Sequence, residues 1–92
     1  VNCNLIVYAL GSFFEEDPEL KERFIFEVKL IPQITECHFM AGSFDFLLKL
    51  NVSDLDQFNY IKNTYLNSRL GIKTLKSEVT LKTVKSTTEL PL

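Results

Sequence analysis

The sequence predicts an α+β ferredoxin-like βαββαβ sandwich, with an antiparallel four-stranded sheet and two helices on one face. Three observations carry this reading. Phe44, Phe46, Leu48, Leu50 and Val52 recur at every second position, the period of a strand with one covered face. Leu20, Phe24 and Val28, and later Leu55, Phe58 and Ile61, recur at helical spacing. The remaining strand-like stretches complete the order strand-helix-strand-strand-helix-strand, whose right-handed crossovers put both helices on the same side.

Each element has a local reason. Residues 3–10 become apolar on both alternating faces from Leu5 onward, as in a buried strand, and Gly11-Ser12 is expected to end it. Asp17-Pro18 starts a helix within 15–29: Asp17 can accept free backbone N–H groups and Pro18 suits the first turn. Glu15, Glu16, Glu19 and Glu22 sit where the helix dipole favours negative charge, and Ile31-Pro32 stops the helix. Residues 34–41 form a second strand, Gly42-Ser43 a turn, and 44–52 the third strand. Ser53 with Asp56 resembles a capping box, opening a helix striped by Leu55, Phe58, Ile61 and Tyr65 or Leu66 that runs to about Ser68. Gly71 breaks it. Residues 74–84 give the last strand, with Leu75, Val79 and Leu81 inward and Lys76, Glu78, Thr80 and Lys82 outward. Strands one and three are expected at the centre, two and four at the edges.

Composition narrows the function. The 92 residues carry a formal net charge of -2, with 46% hydrophobic and 24% charged residues, the balance of one ordinary globular domain over 1–92. So little basic charge does not suit a chain that grips nucleic acid alone. No apolar run approaches the ~20 residues that span a bilayer, and no basic region precedes an apolar stretch as in a secretory signal, so a cytoplasmic location is expected. Cys3 and Cys37 are expected as reduced thiols, and with one His they make no metal site. The chain begins at Val1, which leaves open a removed initiator or a piece of a longer protein.

Helices on one side leave the other sheet face bare, while the first strand offers Leu5 and Val7 on one face and Ile6, Tyr8 and Leu10 on the other. A second copy is the expected cover, making these residues a dimer interface. Charge points the same way. Residues 15–27 hold six acids and two bases, whereas 69–85 hold five bases and Glu78 alone.

Catalysis finds little support. His38 falls on an edge strand, no nucleophile-base spacing occurs, the glycines do not cluster as in a phosphate loop, and Arg23 and Arg69 lie on and after helices. The informative segment is Met40-Ala41-Gly42-Ser43-Phe44-Asp45-Phe46. Its tight turn exposes backbone groups, and Asp45 can either meet a ligand ammonium or cap the turn.

Residues 34–49, with Glu36-Cys37 on one strand and then Gly42-Ser43-Phe44-Asp45-Phe46, resemble the central motif of the effector-binding domain of Lrp/AsnC-family transcriptional regulators. The end, Val84-Lys85 to Leu90-Pro91-Leu92, is similar to that family's C-terminal stretch. The resemblance implies dimers paired through their sheets, assembly into octamers of four dimers, and a small effector, usually an amino acid, bound between dimers. No cofactor is implied, and DNA would be reached only through a helix-turn-helix absent from this chain. By position, Met40, Gly42, Ser43, Phe44 and Asp45 would line the effector site, and Glu78, Thr80 and Leu81 of a neighbouring subunit would close it. Ser43 stands where the family often has an acid, Phe46 where Tyr is common, and the Arg69-Leu70-Gly71-Ile72 loop lacks a frequent Pro. Two alternatives share the element order. One is an RNA-recognition-like module stacking bases on Phe44 and Phe46; the other is a small dimeric ferredoxin-like enzyme.

Overall fold

The computed structural model describes residues 5–88, in which the expected elements follow in the expected order. They are β1 (Leu5–Phe13), α1 (Pro18–Lys29), β2 (Ile34–Phe39), β3 (Phe46–Val52), α2 (Leu55–Thr64), a 3-10 turn over Ser68–Leu70, and β4 (Ile72–Val79). The sheet runs β2-β3-β1-β4 with every neighbour antiparallel, so β1 and β3 are central. Cys3, the expected start of β1, and the Leu90-Pro91-Leu92 ending lie outside the described residues; Cys37 is a free thiol.

Helix α1 begins as its sequence dictates. Asp17 accepts the Glu19 N–H at 2.9 Å, Pro18 occupies the first turn, and Phe24 and Val28 are buried. In α2 the cap shifts by one residue. Asp54, not Ser53, is the N-cap and accepts the Gln57 N–H at 2.8 Å, while Gln57 Oε1 accepts the Ser53 N–H at 2.8 Å. A carboxylate is the stronger acceptor, and Gln reaches back where Asp56 would be too short. The first turn leaves Leu55 exposed, and the buried stripe is Phe58, Ile61 and Leu66. The helix stops at Thr64 rather than Ser68 because Asn67 caps the 3-10 turn, and Gly71, at φ +79°, reverses the chain into β4.

Several strand ends differ from expectation: β2 ends at Phe39 rather than at 41, β3 starts at Phe46 rather than at Phe44, and β1 and β4 are shifted as well. Gly11-Ser12 does not terminate β1, which runs on to Phe13. Gly11 is needed inside the strand: a Cβ there would run into the Phe46 ring and lie 2.7 Å from the Thr74 carbonyl oxygen. Strand β4 starts two residues early, at a buried Ile72, and ends at Val79. Leu75 is half-buried; Val79, paired with the buried Val7, lies on the helix side of the sheet yet is 40% exposed, and Leu81, beyond the strand, is 99% exposed. Helix α1 packs chiefly on β2 and α2 on β3, which leaves the far half of this edge strand uncovered.

The core lies between helices and sheet. Val7, Ala9, Phe24, Phe46, Leu48, Leu50 and Val52 are fully buried; each of the larger side chains contributes about 1.5–3 kcal/mol by leaving water. At one end an aromatic cluster holds the sheet to α1: Phe24 meets Phe46 at 4.8 Å between centroids and Phe13 at 5.1 Å, edge-on, with Phe39 beside them. Val7 therefore leaves the expected interface set, as does Leu5, which packs against the core from the same face. The bare face carries Ile6, Tyr8 and Leu10, with Leu47 paired opposite Leu10.

Candidate functional site

The turn that the sequence singles out sits where β1 and β3 part. Their pairing ends at Gly11 opposite Phe46. Beyond it the Asp45 N–H donates to the Gly11 carbonyl at 2.8 Å, and the Met40 N–H donates to the Asp45 carbonyl at 2.8 Å, closing the loop. The Asp45 carboxylate then accepts the Phe13 N–H at 2.9 Å. A side chain thus replaces the ladder carbonyl that β3 no longer supplies, at the point where β1 also shifts register against β4. Asp45 holds the turn by gripping the neighbouring strand, a role different from capping its own backbone.

The rest of the turn is open. Ala41, Gly42 and Ser43 are exposed, Phe44 is half-buried, and Met40 is 45% exposed. Gly42 has φ +152°, which side-chain-bearing residues rarely adopt, and open space surrounds the place of its missing Cβ. The N–H groups of Gly42, Ser43 and Phe44 donate to no group among the described residues. Phe46 is fully buried beneath α1, so it has no face on which a nucleic-acid base could stack.

Glu78, Thr80 and Leu81 are not brought to this turn. The Thr80 N–H and hydroxyl both donate to the Ile6 carbonyl, at 3.0 and 3.1 Å. Ile6 and Gly11 are five residues apart on β1, roughly 17 Å at about 3.3 Å per residue. Glu78 pairs with Tyr8 midway along the bare face and makes an ion pair with Lys76 at 3.4 Å. Within one chain the two halves of the expected site stand apart.

On the bare face Glu36 lies between His38 (3.0 Å from Nε2) and Lys49 (3.7 Å from Nζ). The hydrogen bond with His38, helped by the Lys49 charge, holds its carboxyl below the usual glutamate range. Cys37 points the other way, into a groove lined by Ile25, Val28, Lys29 and Phe39, and burial pushes its thiol above the ordinary cysteine value. Gly11, Phe13 and Leu47 escaped the sequence reading of the site. A glycine inside a run of strand formers was the one signal that could have revealed the close approach at Gly11.

The sandwich and its strand-end turn are those of a ligand-binding domain: the family model of the Lrp/AsnC ligand binding domain matches residues 14–90, and the chain belongs to that family. Among individual relatives, the leucine-responsive regulatory protein of Haemophilus influenzae is 32% identical over 92 residues, all of this chain and 55% of that protein. The proline dehydrogenase transcriptional activator of Rhizobium radiobacter is 32% identical over 82 residues, 89% of this chain and 53% of that protein. The chain thus spans about half the length of these relatives. Among solved structures, a Neisseria meningitidis transcriptional regulator in complex with L-Met superposes with a TM-score of 0.89 at 28% identity, covering 98% of this chain and 58% of the other. An AsnC-family regulator from Agrobacterium tumefaciens gives 0.87 at 26% identity with the same coverage. No helix among the described residues is long and apolar enough to cross a membrane.

Proposed function

We propose that this chain is the sensing and self-association domain of a transcriptional regulator, and that it binds an amino acid rather than catalysing a reaction. The observation that carries the reading is the turn of residues 40–45, where unspent N–H groups of Gly42, Ser43 and Phe44 stand beside an anchored carboxylate. Adjacent main-chain N–H groups suit an α-carboxylate. The Asp45 oxygen that does not hold Phe13 is an acceptor for an α-ammonium. The L-Met complex of the Neisseria regulator supports this choice of ligand class.

One chain supplies only an open turn, so a second copy must wall the site. Dimers form through the bare sheet face, with Ile6, Tyr8, Leu10 and Leu47 at the centre. Ligand is held where dimers meet, with Glu78, Thr80 and Leu81 of a neighbour as the closing wall, in an assembly of up to four dimers. An effector shifts the equilibrium between assemblies by its differential affinity for them, and so changes how a DNA-binding segment elsewhere in the regulator is presented. The protein works in the cytoplasm.

A thermal-shift screen of the proteinogenic amino acids tests the reading. One or a few should raise the melting temperature in proportion to the logarithm of their concentration. Asp45→Ala should abolish that rise. No amino acid raising the temperature, or a full response from Asp45→Ala, would overturn the proposal.

A further inference from the structure

The helical side of the molecule, away from the turn and the bare sheet, carries a cleft between α1 and α2 that changes character along its length. One end is lined by Arg23, Glu27, Thr64, Tyr65, Arg69 and Leu70 and has room for only about 40 Å³. The other end, about 280 Å³, is lined by Leu30, Ile31, Pro32, Tyr60, Ile61 and Tyr65 with two glutamines. Tyr65 lines both, so the two adjoin at its ring, and the Tyr60 and Tyr65 rings meet edge-on at 6.5 Å.

The arginines mark the polar end as a site. Arg23 comes from α1 and Arg69 from the 3-10 turn, yet the fold sets them around one small space. Neither lies within ion-pair distance of a carboxylate among the described residues, although the shorter side chains Lys21, Lys49 and Lys76 each have one. Neither guanidinium donates a hydrogen bond within the described residues, and the Thr64 and Tyr65 hydroxyls are equally unengaged. Two like charges sharing a cleft with all their donors free are complementary to an oxyanion, which guanidinium groups bind bidentately. Glu27 in the same space disfavours a dianion, so a carboxylate fits better than a phosphate. The volume limits the polar end to the head group. The rest of a ligand must lie along Tyr65 in the apolar half, where Leu30 and Tyr60 are still about 60% exposed.

We infer that the α1–α2 cleft is a second ligand site, for a small carboxylate with a branched or aromatic apolar body. It is separate from the strand-end turn and does not depend on the reading of that turn. Arg23 and Arg69 hold the head, and Tyr60, Tyr65, Leu30 and Ile61 hold the body.

Isothermal titration of the whole chain with phenylacetate and 4-methyl-2-oxopentanoate tests this, with phenylacetamide and inorganic phosphate as the uncharged and bodiless controls. Both acids should bind saturably, with each control weaker by about tenfold or more. The double variant Arg23→Gln/Arg69→Gln should lose at least the same factor while its circular dichroism and melting temperature stay unchanged. Asp45→Ala should bind both acids as the parent does, which separates this site from the turn. Absence of saturable binding, equal binding of phenylacetamide, equal binding of phosphate, or full affinity in the double arginine variant would each overturn the inference. So would loss of binding in Asp45→Ala alone.

Discussion

Asp45 shows how much can rest on one carboxylate. The Phe13 N–H that it accepts lies at the end of the β1–β3 ladder, where no main-chain oxygen of β3 is in reach. Asp45→Ala leaves that donor unpaired and is expected to cost about 1–3 kcal/mol in urea denaturation, whereas Asp45→Asn keeps an oxygen acceptor and should cost less than about 1 kcal/mol. Glu36 gives a pH prediction. Its folded-state carboxyl is held below the ordinary value, so its contribution is complete above the unfolded glutamate range and disappears as pH falls through the lowered value. The stability gap between the protein and Glu36→Gln should therefore be present above the ordinary glutamate range and close as pH falls below it, as denaturation at stepped pH would record. A gap that widened in acid would reverse the assigned sign. That Asp45 mattered was legible from its place between two aromatics. Its partner was not, because the bond spans 32 positions and depends on where two strands part.

Elements followed their local signals wherever those signals were complete. Asp17-Pro18 placed the start of α1, and the period of two in β3 picked out Phe46, Leu48, Leu50 and Val52 as buried. Signals failed where two residues could serve equally, or where packing decided. Ser53 and Asp54 are both acceptable cap types, and the stronger carboxylate acceptor together with the reach of Gln57 selects Asp54. Asp54→Ala should cost about 1 kcal/mol in chemical denaturation, while Ser53→Ala should fall within about 0.5 kcal/mol of the parent. A larger loss from Ser53→Ala would return the cap to Ser53. The alternation of β4 continues in the sequence past Val79, where the strand ends, because the helices above it do not extend that far. The convergence of Arg23 and Arg69 had no signal at all in one dimension: it arises when α1 and the 3-10 turn pack side by side.

At the scale of the whole molecule, one sheet face is sealed by helices and the other is not. The central apolar stripe of Ile6, Tyr8, Leu10 and Leu47 is flanked by the Glu36–His38–Lys49 group on one side and the Lys76–Glu78 pair on the other. A face with an apolar middle and mixed charges at its margins meets the general requirements of a two-fold interface. Sequence alternation in β1 indicated a two-faced apolar strand, but Val7 belongs to the core and only Ile6, Tyr8 and Leu10 are left for a partner.

Light scattering of the eluting protein, with and without the amino acid that most stabilises it, tests the central claim most directly. The account predicts a dimer or an even-numbered multiple of it, a change of assembly on adding that amino acid, and a monomer for Tyr8→Glu, whose buried charge the paired sheets could not accommodate. A monodisperse monomer at every protein concentration, unmoved by any amino acid, would contradict it.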